Sequence, residues 1–365
     1  MIQRLISLDF FRGFTIAAMI VVNDPGSWAH IFPPLRHADW HGATPTDLVF
    51  PFFLFIVGVS IVLSLSKIKN SNTSTYFKII KRTLILFGIG IFLALFPNFD
   101  ISNVRIAGVL QRIALVYFFC SFIYLNSKKS HQIWIGVFCL IIYWGFMKHI
   151  PFGSSEAGIL EPGNNFAAWM DQFITPGRMY QGTWDPEGFF STIPAIATGI
   201  TGMFCGHLIL NKSKSLKDKI IAMYLVGSVC LSLGMVWDFS FPINKHIWSS
   251  SYVLFSSGLA MLFLASCMWI IDHKKIIFCT RFGIVFGSNA IFAYVLHAII
   301  GRVFRIPIIN GNGIQKAWMD LSLSTNIDPQ IFSLIWAVFY TFLIYVIVNE
   351  MYKSCLLYTS PSPRD

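Results

Sequence analysis

Long apolar runs separated by short polar connections dominate the chain. Leu48–Leu65, Ile220–Trp237, Tyr252–Ile271 and Ile331–Val348 each hold at least 18 consecutive uncharged residues, and about 20 apolar residues in a helix cross a hydrocarbon core about 30 Å thick. Phe189–Leu210 is as long and carries only His207, while Thr83–Pro97 and Ile133–Met147 are shorter uncharged runs. Three further runs, Leu8–Val22, Ala107–Asn126 and Phe282–Ile300, carry ionisable or amide side chains inside otherwise apolar helices. The pattern predicts an all-α polytopic membrane protein with about ten transmembrane helices. Pro194 and Gly199 predict a kink in the sixth span. Residues 1–353 read as one transmembrane domain, and Ser354–Asp365, rich in Ser and Pro, as a disordered or non-native tail.

Composition agrees with this pattern: 55% of residues are hydrophobic, 12% are charged, and the mean hydropathy is +0.64. The formal charge of +10 would suit a nucleic-acid partner if it were clustered. With ten spans and a cytoplasmic N-terminus, sixteen Lys and Arg fall in inner segments and eight in outer ones. The excess is therefore a topology signal, which excludes a nucleic-acid patch and predicts that both termini are cytoplasmic. Most of the seven cysteines lie within spans, with no CxxC, so neither a disulfide framework nor a thiolate metal site is expected. Asp9 and Arg12 interrupt the first apolar run, which is read as a retained span and not a cleaved signal.

Candidate chemistry concentrates between Asn23 and Pro51. His37 lies in the cluster Arg36-His37-Ala38-Asp39-Trp40-His41-Gly42, and Asp47 follows ten residues later, close enough for a carboxylate to orient the imidazole. His41 lacks the third ligand that a metal site requires, so no metal is expected. Asp9 and Arg12 share a helix face as a structural ion pair or as an anchor for an anionic cofactor. Arg112 lies within a span and must face a partner or a wet cavity. The long outer segment Ile150–Gly188 has no obvious core and suits a lid or binding loop. In it Trp184, Asp185 and Glu187 have the chemistry of a sugar site, whereas Trp169 suits an interfacial belt. Asn289, Tyr294 and His297, on one predicted helix, can line one side of a cavity.

The ordered series Arg4-Leu5-x-Ser7-Leu8-Asp9-x-x-Arg12-Gly13, Val22-Asn23, His37-Ala38-x-Trp40-x-Gly42-x-Thr44, Asp47-Leu48-Val49-Phe50-Pro51 and Phe55-Ile56-x-Gly58-x-Ser60 resembles the transmembrane heparan-alpha-glucosaminide N-acetyltransferase family and its bacterial relatives. Later pieces extend the likeness: Val104-Arg105-Ile106-x-Gly108-Val109-Leu110-Gln111-Arg112, Asp185-Pro186-Glu187-Gly188, Trp248-Ser249-x-Ser251-Tyr252-Val253 and Asn289-x-Ile291-x-x-Tyr294-x-x-His297. The opening Leu-Asp-x-x-Arg-Gly alone is also similar to membrane acyltransferase-3 proteins. The resemblance implies transfer of an acetyl group from cytosolic acetyl-CoA to the amine of a glucosamine-type sugar on the far side of the membrane. It implies a bacterial inner-membrane homologue with the His37 loop in the periplasm. His37 is then the catalytic histidine, with Asn23 beside it and Asp47 orienting it. Asp9, Arg12, Trp40, Arg105, Arg112, Trp184, Asp185, Glu187, Asn289, Tyr294 and His297 are the expected binding residues. The partners expected are the amino-sugar acceptor and the bilayer, with a homodimer as candidate assembly. An amino-sugar permease and an envelope-polysaccharide O-acyltransferase are the competing readings.

Overall fold

The computed structural model describes residues 5–68, 72–278, 280–307, 311–322, 324–325 and 327–354. Arg4, which opens the motif series, and the expected tail beyond Ser354 lie outside these residues. The protein is helical, with α1 (Ile6–Asn23), α2 (Val49–Leu65), α3 (Thr73–Leu95), α4 (Val109–Asn126) and α5 (Lys129–His149) followed by a short hairpin, β1 (Leu160–Glu161) and β2 (Asn164–Asn165). Then come α6 (Phe166–Ile174), α7 (Thr192–Leu210), α8 (Leu216–Asp238), α9 (Ser250–Cys267), α10 (Thr280–Ser288), α11 (Ala290–Val303), α12 (Ile314–Ser322) and α13 (Pro329–Lys353). Among the described residues, eight helices are long and apolar enough to cross a membrane, or nine if α10 and α11 count as one bent crossing. This is an integral membrane protein of the all-α class.

Residues 39–43 and 51–266 form one compact unit. In it α2 and α7 approach through glycine: a Cβ on Gly58 would lie 1.9 Å from the Gly199 carbonyl oxygen, and one on Gly202 2.0 Å from that of Phe55. Small residues let membrane helices pack backbone to backbone, where dispersion replaces the hydrophobic drive absent in lipid. Helix α7 runs unbroken, with Pro194 in its first turn, where its missing N–H has no intrahelical partner to lose. Segment 39–43 joins the connections 150–191 and 239–249 on one face: Trp40 Nε1–H donates to the Leu160 carbonyl, and the Gly42 amide to that of Ile243, each at 2.7 Å. Arg105, beyond the end of α3, binds Asp185 on the same face. Helix α3 returns to the face that α2 leaves. It has 23 residues, but its N-terminal half carries Lys78, Lys81 and Arg82, which keep it out of the apolar class. Against the expected count of about ten stand eight helices of that class, or nine with the bent pair, among the described residues.

The segment 150–188 does have a core, contrary to the expectation of a coreless loop. Phe152, Leu160, Phe166 and Phe190 pack with Tyr143, Met147, Phe241 and Ile247, and Trp169 joins them. The Tyr143 hydroxyl donates to the Ile247 carbonyl at 2.6 Å. Nine apolar residues spread over about a hundred positions carry no helical or strand period, so this core was invisible to pattern reading.

The other unit comprises the residues up to 38, 44–50 and from 267 onward. Its central pair is α1 and α10, where a Cβ on Gly13 would lie 1.8 Å from the Gly283 oxygen and one on Gly287 2.0 Å from the Asp9 oxygen. The expected continuous helix over Phe282–Ile300 is instead two helices bent by 85° around Asn289. A break frees carbonyls in the last turn of α10, and a freed carbonyl in lipid needs a donor. Arg12 Nη1 supplies one, donating to Gly287 O at 3.2 Å while lying 3.8 Å from Asp9. The structure thus places Arg12 as a tie across the α1–α10 seam, with Asp9 beside it on α1.

Candidate active site

Asp47 is the third residue of a 3-10 turn, Pro45–Leu48, that leads into α2. The turn withdraws its side chain completely from solvent and directs backbone amides at it: Ala38 and Thr44 N–H both donate to Oδ2 at 3.0 Å. Oδ1 accepts from His37 Nδ1 at 2.6 Å. The Thr44 hydroxyl donates to the Arg36 carbonyl at 2.7 Å and ties the two ends of the loop together. His37 keeps about a third of its side chain exposed, 34%. A carboxylate at Nδ1 fixes the tautomer, so the ring's basic lone pair resides on Nε2. This arrangement suits a group that accepts a proton or attacks a carbonyl. Asn23 is exposed at the last residue of α1.

The next residue, Asp24, is one that the sequence reading passed over. It is buried beyond the end of α1, with Oδ1 3.3 Å from Arg305 Nη2 and Oδ2 3.9 Å from His297 Nε2. Burial raises its pKa to about 7 against the opposing pull of Arg305 and Arg302. Gly301 leaves room for it, since a Cβ there would lie 2.8 Å from Oδ1. Tyr340 donates to the His297 carbonyl at 2.5 Å, and Tyr294 packs edge-on against the His297 ring. The expected trio on one helix side is therefore corrected: Asn289 occupies the bend, while Tyr294 and His297 belong to α11 and to the Asp24 cluster. A charged residue closing an apolar helix was the available signal for Asp24.

In the first unit, Arg105 forks onto Asp185, Nε to Oδ2 at 2.7 Å and Nη2 to Oδ1 at 2.6 Å, and also pairs with Glu187. Asp185 further accepts the amides of Tyr180 and Glu187, and the Tyr180 ring lies under the guanidinium. Burial would lower the Arg105 pKa, but its bonds to Asp185 and the nearby Glu187 carboxylate raise it above the ordinary value. These acids, expected at a sugar, are engaged in shaping their own loop. Arg112 is buried, donates to the Gly188 carbonyl at 2.7 Å and to Ser191 Oγ, and covers the Trp248 ring at 5.1 Å. Its Nη2 is thus satisfied, while Nε and Nη1 are buried with no hydrogen-bond partner among the described residues. Trp40 and Trp184 meet at a centroid separation of 5.1 Å, joined by His246, which no sequence pattern marked.

Residues 4–237 match the family described as heparan-alpha-glucosaminide N-acetyltransferase, catalytic. The human protein named heparan-alpha-glucosaminide N-acetyltransferase is 29% identical over 360 residues, covering 82% of this chain and 54% of the human one. The mouse protein of the same name is 28% identical over 361 residues, with 83% and 54% covered. The chain thus spans about half the length of these curated relatives. The match extends over more than half of the chain and includes the segment that carries His37, Asp47, Arg105 and Asp185. The chain belongs to the heparan-alpha-glucosaminide N-acetyltransferase catalytic family.

Proposed function

We propose that this chain is a membrane N-acetyltransferase that moves an acetyl group from acetyl-CoA to the amine of a glucosamine-type sugar. The observation that carries the reading is the His37–Asp47 pair, an imidazole exposed by about a third and held at Nδ1 by a wholly withdrawn carboxylate. In direct transfer, Nε2 takes the amine proton as the C–N bond forms, and returns it to the CoA sulfur as the C–S bond breaks. In the two-step route, Nε2 attacks the thioester carbonyl and CoA leaves as thiolate; the amine then attacks the acetyl carbon, the C–Nε2 bond breaks to free the imidazole, and the amine proton passes to the thiolate. Either route develops negative charge on the carbonyl oxygen, for which the Asn23 carboxamide is the proposed donor. Acetyl transfer from labelled acetyl-CoA to glucosamine in proteoliposomes tests the assignment. A folded His37→Ala variant with full activity overturns it. Label appearing on the protein, or exchanging into free CoA without sugar, selects the two-step route.

The side of the membrane follows from charge: the connections 66–72, 127–128 and 211–215, with the helix ends beside them, hold most of the lysines of the first unit. Their face is the proposed cytoplasmic side, supplied with acetyl-CoA, and the face bearing Trp40 and Arg105 is the proposed periplasmic side of a bacterial inner membrane. A permease is the second reading, favoured by the break between α10 and α11, since interrupted helices commonly line transport sites. Uptake of labelled glucosamine without acetyl-CoA supports it over the enzyme. An ester-linked product instead of an amide assigns an O-acyltransferase.

A further inference from the structure

In the second unit, the residues that follow α1 are held by three later helices. The Asp24 amide closes α1 on the Ile20 carbonyl at 3.1 Å, and its carboxyl turns inward. Oδ1 accepts from Arg305 Nη2 at 3.3 Å, just beyond the end of α11, and Gly301 of α11 leaves the space for it. Oδ2 is buried with no hydrogen-bond partner among the described residues and lies 3.9 Å from Nε2 of the buried His297. Gln315 of α12 donates to the Pro25 carbonyl at 2.5 Å. Ser333 of α13 takes the Gly26 amide on its carbonyl at 3.2 Å and the Ser27 amide on its hydroxyl at 3.0 Å. Asp24, Pro25 and Gly26 are thus buried, whereas Asn23, the residue before them, is exposed. Its carboxamide makes no hydrogen bond among the described residues.

We propose that Asp24 is a positioning residue for acetyl transfer: gripped between Arg305 and His297, its buried carboxyl fixes the end of α1 and with it the Asn23 carboxamide. The proposal rests on the reading of Asn23 as the donor to the carbonyl oxygen and deepens it. A carboxamide with no bond of its own takes its place from the backbone that carries it, and a donor stabilises developing charge best when it is already in place. A staple for stability alone explains the cluster less well, because a packed apolar pair does that work as well as a buried ion pair or better. What polar partners add is a fixed direction. The grip on His297 takes one proton, since an ionised carboxylate and an imidazole protonated at Nδ1 face each other as two acceptors. Burial, which raises the Asp24 pKa to about 7 against Arg305 and Arg302, keeps that proton on the carboxyl at lower pH. Tyr340 of α13 is the other titratable group set against Asp24, and it donates to the His297 carbonyl. An asparagine at this position has the shape, the donor and the acceptor of the protonated acid.

The test is acetyl transfer to glucosamine by the full chain in proteoliposomes at about pH 6, below the Asp24 pKa, with amide hydrogen exchange of residues 23–27 read on the same samples. Asp24→Ala is expected to lower kcat about ten- to a hundredfold, the cost of displacing a reacting group by about an ångström, with both KM values within about twofold. Asp24→Asn is expected to stay within about threefold of the wild type, because it keeps the bonds of the neutral acid. Asn23→Ala is expected to cost about 10²–10³-fold, and adding Asp24→Ala to it to cost nothing further, since Asp24 acts through Asn23. Should Asp24→Ala fail to fold, Arg305→Met removes the exposed partner of Oδ1 and carries the same expectations. Unchanged kcat in the single variant, or losses that multiply in the double one, overturns the role of Asp24 and leaves the acetyltransferase reading standing. A wild type that transfers no acetyl sinks that reading, and exchange then decides on Asp24. The amides of Asp24, Gly26 and Ser27 exchanging at least about tenfold faster in Asp24→Ala than in Asp24→Asn uphold it as the residue that positions Asn23, and equal exchange overturns it.

Discussion

Asp47 and Asp185 are built almost alike and hold different partners. Each side chain is fully withdrawn from solvent, each lies a few residues before a membrane helix, and each accepts two backbone amides. Asp47 gives its remaining acceptor to an imidazole, and Asp185 gives both oxygens to a guanidinium. An imidazole changes its charge within the physiological range, whereas a guanidinium does not. A buried aspartate therefore does not mark chemistry by itself. Its partner decides whether the carboxylate tunes a proton or only holds a loop.

Removing the partners separates the two cases most sharply. His37→Ala is expected to lower acetyl transfer by about 10²–10⁴-fold, the range of general acid–base catalysis, with little change in thermal unfolding. Asp47→Asn, which keeps the shape but no longer fixes the tautomer, is expected to cost about 10–10³-fold. A drop no larger than that of Asp185→Asn would erase the distinction between the two aspartates. At the other corner the loss should appear in stability: Arg105→Ala leaves the buried Asp185 uncompensated and is expected to cost about 3–5 kcal/mol, read by denaturation in detergent. If the folded fraction of that variant also lost most of its kcat, Arg105 would belong to the chemistry.

A smaller effect concerns Asp171, which stands between the two cases. Burial raises its pKa to about 6, against the hydrogen bond from the Phe190 amide and the charge of Arg112. A carboxyl whose folded pKa lies above its unfolded one adds stability that is fully present below about pH 4 and lost as pH rises through about 6. The loss above that window is no more than about 3 kcal/mol. Unfolding midpoints of wild type and Asp171→Asn from pH 4 to 8 should diverge in that window, with the asparagine variant flatter. Parallel curves would show that Asp171 titrates like a solvated carboxyl.

The sequence carried the helices well, because apolar length is a local property and lipid admits few other folds. It also carried the His37–Asp47 pair, since ten residues and one turn separate them. The bend at Asn289 was hidden: Phe282–Ile300 has the composition of a continuous helix, and the cause of its interruption lies in α1, where Gly13 and Arg12 admit and cap the end of α10. His246 was hidden for a similar reason. It meets Trp40 across some two hundred positions of chain, and no spacing rule reaches that far.

The Arg12 tie to Gly287 also bears on how the protein is made. Helix α1 is synthesised long before α10, which supplies the other half of the seam that Arg12 ties. Until α10 follows, the Gly287 carbonyl that accepts from Arg12 Nη1 is missing. The α1–α10 seam therefore closes only after α10, about 270 positions later, has joined α1, so the two ends of this unit's helical core depend on each other.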